Sequence, residues 1–365
     1  MKKRKILAFL AAGIMTVSLL AGCGAKKEES STKDSGEKVK IGLSTDEGGL
    51  NDKSFNQAAD EGVKKAQKEF GVEYKPIESK QKEDYESNLE ALVNDNCNLV
   101  FGVGFQMEQA MKNVAGKYSD KKFAIVDTEV KAPNVLSLKF KDHEGSFLMG
   151  VIAGKMTKTN KVGFIGGKDF APINKFEAGY IAGVKSVNPE AAKALMGKDN
   201  KPGAMVKYAD SFGDTNKGYE LAKSLYGSGC DVIYHAAGGV GIGMFKAAKE
   251  LKDSGKAVWA IGVDKDQALT VPKYKDVILS SMLKRVDTAT YDATKQIVDG
   301  KFEGGKTIEL GVKEDGVAVA GTSKDNTPKE VLDLVEKYKN AIKEEKIKVP
   351  ATRKELANFT PTEIK

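Results

Sequence analysis

Apolar and polar positions alternate over residues 39–44, where Lys40 and Gly42 separate Val39, Ile41 and Leu43, the period-two mark of a strand. Past an acidic, glycine-rich turn the period lengthens. Phe55, Ala59, Val63, Ala66 and Phe70 fall on one helical stripe, with Lys64, Lys65 and Lys68 mostly off it. Gly48 and Gly49 allow a tight backbone path between the two, and Asn51 or Asp52 is placed to cap the helix. The alternation continues along the chain. It predicts strands over 39–44, 99–104, 122–127, 135–139, 161–165, 204–208, 232–236, 257–263 and 277–281. It predicts helices over 53–70, 84–95, 106–117, 144–157, 175–188, 215–227, 243–254, 287–299 and 328–344. Strand and helix in turn imply an α/β architecture, with parallel sheets covered by helices on both faces. The residues after position 37 are too many for one small core and imply two such units.

An internal echo supports that division. NCNLVFGVGFQMEQAMKNVA, from Asn96, and GCDVIYHAAGGVGIGMFKAAKE, from Gly229, each read as polar turn, buried strand, small-residue loop and helix. KKFAIVDTEV, from Lys121, and KAVWAIGVDKDQ, from Lys256, are lysine-led strands closing on Asp127 and Asp264. Two like lobes, each with an aspartate at a strand end, imply a cleft between them.

The N-terminus changes the setting. Lys2, Lys3, Arg4 and Lys5 precede an apolar stretch over 6–20, and Leu20-Ala21-Gly22-Cys23 follows. This resembles a bacterial lipoprotein signal over 1–22, with Cys23 lipidated and holding the chain to the membrane. The apolar stretch is short of the ~20 residues that span a bilayer. Residues 23–37 are charged and polar and are expected to form a flexible tether. The full chain of 365 residues carries a net charge of +7. Losing the signal removes four of those positive charges and no acid, and the weak excess left does not call for nucleic acid. Cys97 and Cys230 each open an apolar strand, as small buried hydrophobes do. Two cysteines make no disulfide framework, and their pairing stays open here.

The catalytic inventory is thin. His143 and His235 are the only histidines, and neither is framed by a nucleophile or a metal-ligand spacing. His143 reads as a hinge or cap residue, and His235 as a packed one. The 238–243 loop, GGVGIG, misses the GxGxxG spacing and has no following lysine for a phosphate loop. Its glycines, from Gly238 on, suit close approach of a neutral ligand to backbone at a helix N-terminus. No cofactor or metal is called for. What stands at the predicted strand ends is a set of acceptors, Asp46, Asp127 and Asp264, with one lysine, Lys284. Phe55, Phe176 and Phe212 lie in or beside loops expected at the same cleft. Carboxylates accept from hydroxyls and ring N–H groups, an ammonium donates, and phenylalanine faces stack on flat rings. The combination suits a polyol joined to an aromatic heterocycle. Phe55 serves equally well as a core residue at this stage.

Several segments in this order resemble the basic membrane protein family of substrate-binding lipoproteins. They are Asp46 with NDKSFN over 51–56, Val103-Gly104-Phe105, Ile125-Val126-Asp127, GSFLMG over 145–150, the 238–243 glycines, GVDKDQ over 262–267 and Ser281-Met282-Leu283-Lys284. The resemblance covers the chain from the lipidation signal to about Thr327. It implies a type I periplasmic-binding fold, two doubly wound lobes joined by three crossovers. It divides the chain into lobe 1, residues 38–143 plus 285–320, and lobe 2, residues 144–284 plus 321–365. Crossovers are expected near 142–146, 284–287 and 317–322. The resemblance further implies a monomeric, extracytoplasmic, non-enzymatic receptor that delivers nucleosides, purines first, to ABC permease subunits. In it Phe55 stacks on the base, with Phe176 or Phe212 on the other face. Asp46 and Asp127, with Asn51 and Asn56 beside them, meet the ligand from the first lobe, and Asp264 and Lys284 hold ribose hydroxyls. Two other readings compete: a receptor for another small ligand such as a sugar or a furanone, and a nucleoside hydrolase or phosphorylase.

Overall fold

A computed structural model describes residues 38–362 and 364. The expected signal over 1–22, the expected tether over 23–37 and Cys23 lie outside the described residues. The first lobe opens with β1 (Lys40–Thr45), α1 (Phe55–Phe70), β2 (Glu73–Ile77), α2 (Asp84–Asn94), β3 (Leu99–Val103), α3 (Glu108–Lys117), β4 (Phe123–Val126) and β5 (Val135–Phe140). The second follows with α4 (Asp142–Met156), β6 (Val162–Gly166), α5 (Ala171–Val187), α6 (Pro189–Ala192), β7 (Val206–Tyr208), α7 (Thr215–Gly227) and β8 (Val232–Ala236). It continues through α8 (Val240–Asp253), β9 (Trp259–Asp264), α9 (Gln267–Thr270) and β10 (Ile278–Lys284). The chain then returns to the first lobe for α10 (Val286–Val298) and β11 (Thr307–Leu310). It ends in the second lobe with β12 (Val317–Val319), α11 (Ser323–Asn326), α12 (Lys329–Lys343) and α13 (Arg353–Ala357).

The two sheets have the same plan. Strand order is β11-β5-β4-β3-β1-β2 in one and β12-β10-β9-β8-β6-β7 in the other. β3 therefore corresponds to β8 and β4 to β9, so the sequence echo is a structural repeat. All pairings are parallel except β10 with β12, which is antiparallel. That exception corrects one expected boundary. Val317–Val319 pairs with Met282–Lys284, so the third crossover lies between Leu310 and Val317, ahead of the expected 317–322, and 317–320 stands with the second lobe. The other two crossovers fall at Lys141 and Arg285. The first comes just before the expected 142–146 because α4 already begins at Asp142.

Local chemistry explains the elements that hold the site. α1 starts where Asp52 accepts the backbone N–H groups of Ser54, Asn56 and Gln57 at 2.9, 2.9 and 3.1 Å. Its inward stripe, Ala59, Val63 and Ala66, is fully buried. α1 packs closely on α10: Thr290 Oγ1 donates to the Ala59 carbonyl, and a Cβ at Gly62 would stand 2.1 Å from the Asp287 carbonyl. α4 is apolar almost all round and buried from Gly145 to Gly154, because the second sheet, α5 and α12 surround it. Cys97 and Cys230 are free, buried thiols, one in each lobe.

Candidate functional site

The carboxyl ends of the strands of both sheets face one another across a small cavity, the place where open α/β sheets take ligands. From the first lobe come Asp46 after β1, Asp52, Phe55 and Asn56 at the start of α1, Gly104 and Phe105 after β3, and Asp127 after β4. From the second come Ile173 and Phe176 on the first turns of α5, Phe212, Ala236–Gly238 after β8, Val263 and Asp264 closing β9, and Lys284 closing β10. Asp127 and Asp264, at equivalent ends of β4 and β9, both adopt a left-handed backbone, with φ of 72° and 65°. Few non-glycine residues do so, and the same turn in both lobes aims two carboxylates at one space.

Lys284 sits at the centre of the polar groups. Its side chain is 1% exposed. Nζ donates to Asp127 Oδ2 at 2.6 Å and lies 3.0 Å from Asp142 Oδ1. Burial alone lowers the ammonium's pKa, but the carboxylates of Asp127, Asp142 and Asp264 outweigh it and hold the charge on. The rings of Phe55 and Phe176, one from each lobe, stand 5.0 and 5.3 Å from the same nitrogen, within cation–π range. Burial pushes Asp264 up to about 7, against the opposing pull of Lys284 and a hydrogen bond from Ser54.

Asp46 is likewise pushed up to about 6 by burial, though Asn56 Nδ2 and the Gly48 N–H donate to its Oδ1 at 2.7 and 2.9 Å. Gly104, at φ +117°, lets β3 pass this carboxylate, since a Cβ there would meet Asp46 Oδ2 at 3.0 Å. Two acceptors on the lining residues, Asn56 Oδ1 and Asp127 Oδ1, are buried without a protein donor. Such groups gain from a donor supplied by a ligand.

The lobes touch around the cavity. Ser54 Oγ donates to Asp264 Oδ2 across the cleft. Lys168 Nζ reaches Glu47 and, at 3.1 Å, Gln106 Oε1. Lys265 pairs with Glu61, and Gln267 Nε2 donates to the Lys53 carbonyl at 3.2 Å. Phe105 meets Phe170 and Phe212 at 5.9 and 6.3 Å between ring centres. This is a closed cleft.

Nine of the ten expected residues line it. Asn51 does not: it is exposed, and its amide oxygen takes the Lys53 ammonium. The neighbouring carboxylate, Asp52, faces inward instead because it caps α1. Phe55 and Phe176 both stand over Lys284 Nζ, while Phe212 packs edge-on against Phe105, so Phe176 and Phe212 line the cavity in different pairs. Phe105, Gly104, Ile173 and Val263 were missed. Phe105 and Gly104 follow β3 as Asp127 follows β4, and the strand-end rule applied to apolar residues finds them. The histidines stand apart from this chemistry. His235 is buried in β8 against Gln267 Oε1 at 2.8 Å, and burial pushes it down to about 4. His143, in the first turn of α4, is pushed down to about 4 by burial and by Lys175 and Lys141.

Two doubly wound lobes closing strand-end to strand-end on a lined cavity have the architecture of the type I periplasmic-binding fold. Residues 38–353 match the Bmp family, described as ABC transporter substrate-binding protein PnrA-like, and the chain belongs to that family. It is 41% identical over 366 residues to a CD4+ T-cell-stimulating antigen of Listeria innocua, covering 96% of this chain and 99% of that one. It is 37% identical over 364 residues to the ABC transporter nucleoside-binding protein BmpA of Lactococcus lactis, covering 96% and 99%. A solved solute-binding protein of an Aeropyrum pernix ABC transporter system is similar at TM-score 0.75 and 28% identity, covering 88% of this chain and 96% of the other.

Proposed function

We propose that this chain is a lipid-anchored, extracytoplasmic receptor that captures a nucleoside, purines by preference, between its lobes and presents the closed form to ABC permease subunits. The observation that carries the reading is the pairing of aromatic walls from both lobes, Phe55 and Phe176, with Asp127, Asp264 and Lys284 in one cavity. Rings suit a heterocycle, and the ion cluster suits ribose hydroxyls. A relative's name as a nucleoside-binding protein points the same way. Ligand contacts to both lobes favour the closed state that alone makes them, so capture requires no bond to be broken. The anchor rests on Leu20-Ala21-Gly22-Cys23. Among the described residues no helix is long and apolar enough to cross a membrane. The protein acts as a monomer in this scheme.

A thermal-shift panel tests it. Inosine, guanosine and adenosine are expected to raise the melting temperature, by the equivalent of about 2.7 kcal/mol at a hundred times Kd, with pyrimidine nucleosides behind them. D-ribose and D-glucose should leave it unmoved. A rise with a sugar alone overturns the assignment, and release of hypoxanthine from inosine overturns the non-enzymatic reading. Phe55→Ala should weaken inosine binding by about 1–3 kcal/mol, the worth of one base–aromatic stack. Titration calorimetry measures this, and the ligand-free melting temperature should stay close to that of the wild type. Loss of fold with affinity kept in the folded fraction would make Phe55 a core residue.

A further inference from the structure

The wall of the cavity supplied by the second lobe is held from behind by the end of the chain. Arg353, the first residue of α13, is only 13% exposed at its side chain. Its Nε lies 3.0 and 3.1 Å from the two carboxylate oxygens of Glu177, and Nη2 lies 2.7 Å from Oε2. The same fork reaches Asp169, with Nη2 at 2.8 Å from Oδ1, and the Tyr208 hydroxyl at 3.0 Å. Asn174 Nδ2 ties in by donating to Tyr208 Oη at 2.9 Å and to Asp169 Oδ1 at 2.8 Å. Glu177 is almost wholly buried, so Arg353 provides the charge that makes its burial tolerable.

The two carboxylates held by Arg353 bracket the segment 170–176. That segment carries Ile173 and Phe176 into the cavity, and Phe170 against Phe105 of the other lobe. Lys168, one residue before Asp169, makes the cross-lobe contact to Glu47 and Gln106. Tail docking is itself fixed: Thr352 Oγ1 accepts the Glu355 N–H at 3.1 Å, and Lys185 Nζ donates to the Phe359 carbonyl at 2.7 Å.

The geometry points to Arg353 as a positioning residue for ligand capture: through Glu177 and Asp169 it sets the place of Phe176 in the cavity wall over Lys284. Arginine is required because its planar fork spans both carboxylates, which a lysine cannot do. This rests on the nucleoside reading for its probe, and the experiment separates the two.

Inosine affinity is measured by calorimetry for wild type, Arg353→Met, Phe176→Ala and the double variant, at a temperature where all are folded. Arg353→Met is expected to bind about tenfold more weakly, and less than about twofold more weakly when Phe176 is already alanine. A role confined to stability lowers the ligand-free melting temperature and leaves these ratios multiplying. Arg353→Lys, which keeps the charge, provides a folded variant if the methionine form does not fold, and is expected to bind about threefold more weakly. In the same variants, amide hydrogen exchange across 168–177 should quicken at least tenfold while α10 is unchanged. Wild-type-like affinity in Arg353→Met, multiplying losses, or unchanged exchange over 168–177 overturns the proposal. Should wild type ignore inosine, the nucleoside reading fails, and the exchange measurement alone judges the clamp.

Discussion

Lys284→Met is expected to lower the stability of the ligand-free protein by about 3–5 kcal/mol, the cost of stripping one partner from a buried ion cluster. Methionine fills nearly the same space, so packing against Phe55, Phe140 and Phe176 is largely kept. What goes is the charge that neutralises Asp127 and Asp142, 2.6 and 3.0 Å away, and that faces Asp264. The cluster also joins the lobes, since Lys284 ends β10 in one and Asp127 follows β4 in the other. Urea unfolding with linear extrapolation measures the loss. Adding Asp127→Asn and Asp142→Asn to Lys284→Met should recover a large part of it. A variant within about 1 kcal/mol of wild type would show that the ammonium is not what allows these carboxylates to be buried.

Asp264→Asn should separate binding from stability. Loss of a charge-assisted hydrogen bond to the ligand is expected to weaken nucleoside binding by about 2–3 kcal/mol. Without ligand the same variant should melt higher than wild type at pH 8. Burial raises the Asp264 carboxyl from 3.8 to about 7, so the folded protein holds this proton more tightly than the unfolded chain. Its contribution is fully present below the unfolded value and is lost as pH rises through about 7. Asparagine carries no such titration and still accepts from Ser54. The two melting curves should therefore converge near pH 4 and separate by pH 8. Asp46 and Asp52, each raised to about 6 by burial, act in the same direction in both proteins. A difference in melting temperature that does not change with pH would defeat this account.

The long elements were legible because their pattern is set by burial. β1, β3, β4 and β8 are buried strands with apolar runs, and every predicted helix is found within a few residues of its expected ends. β2 was not legible. Its sequence, EYKPI, lies on a sheet edge with only Tyr74 and Ile77 partly covered, and Pro76 speaks against a strand. β12 shows the second limit: three residues can form a strand, but nothing local says which sheet they join. At the site, strand ends located Asp46, Asp127, Asp264 and Lys284, and the repeat marked the matching pair, Asp127 and Asp264. Asn51 and Asp52 are adjacent and both polar, and only the carboxylate can take three amides at once. Arg353 was invisible from sequence, since its partner Glu177 lies 176 positions earlier.

The order of sheet assembly bears on how the chain is made. The first sheet lacks an edge until β11 has been synthesised, and the second until β12 has, although β1 is near the start. α12, which covers α4, comes later still. A growing chain folds from its N-terminal end as units become complete, and here neither unit is complete before residue 310 or so. Late completion leaves the polypeptide threadable through most of its synthesis, which suits the export proposed from Lys2–Cys23. A circular permutant that makes the first lobe contiguous should fold earlier on the ribosome and be secreted less well.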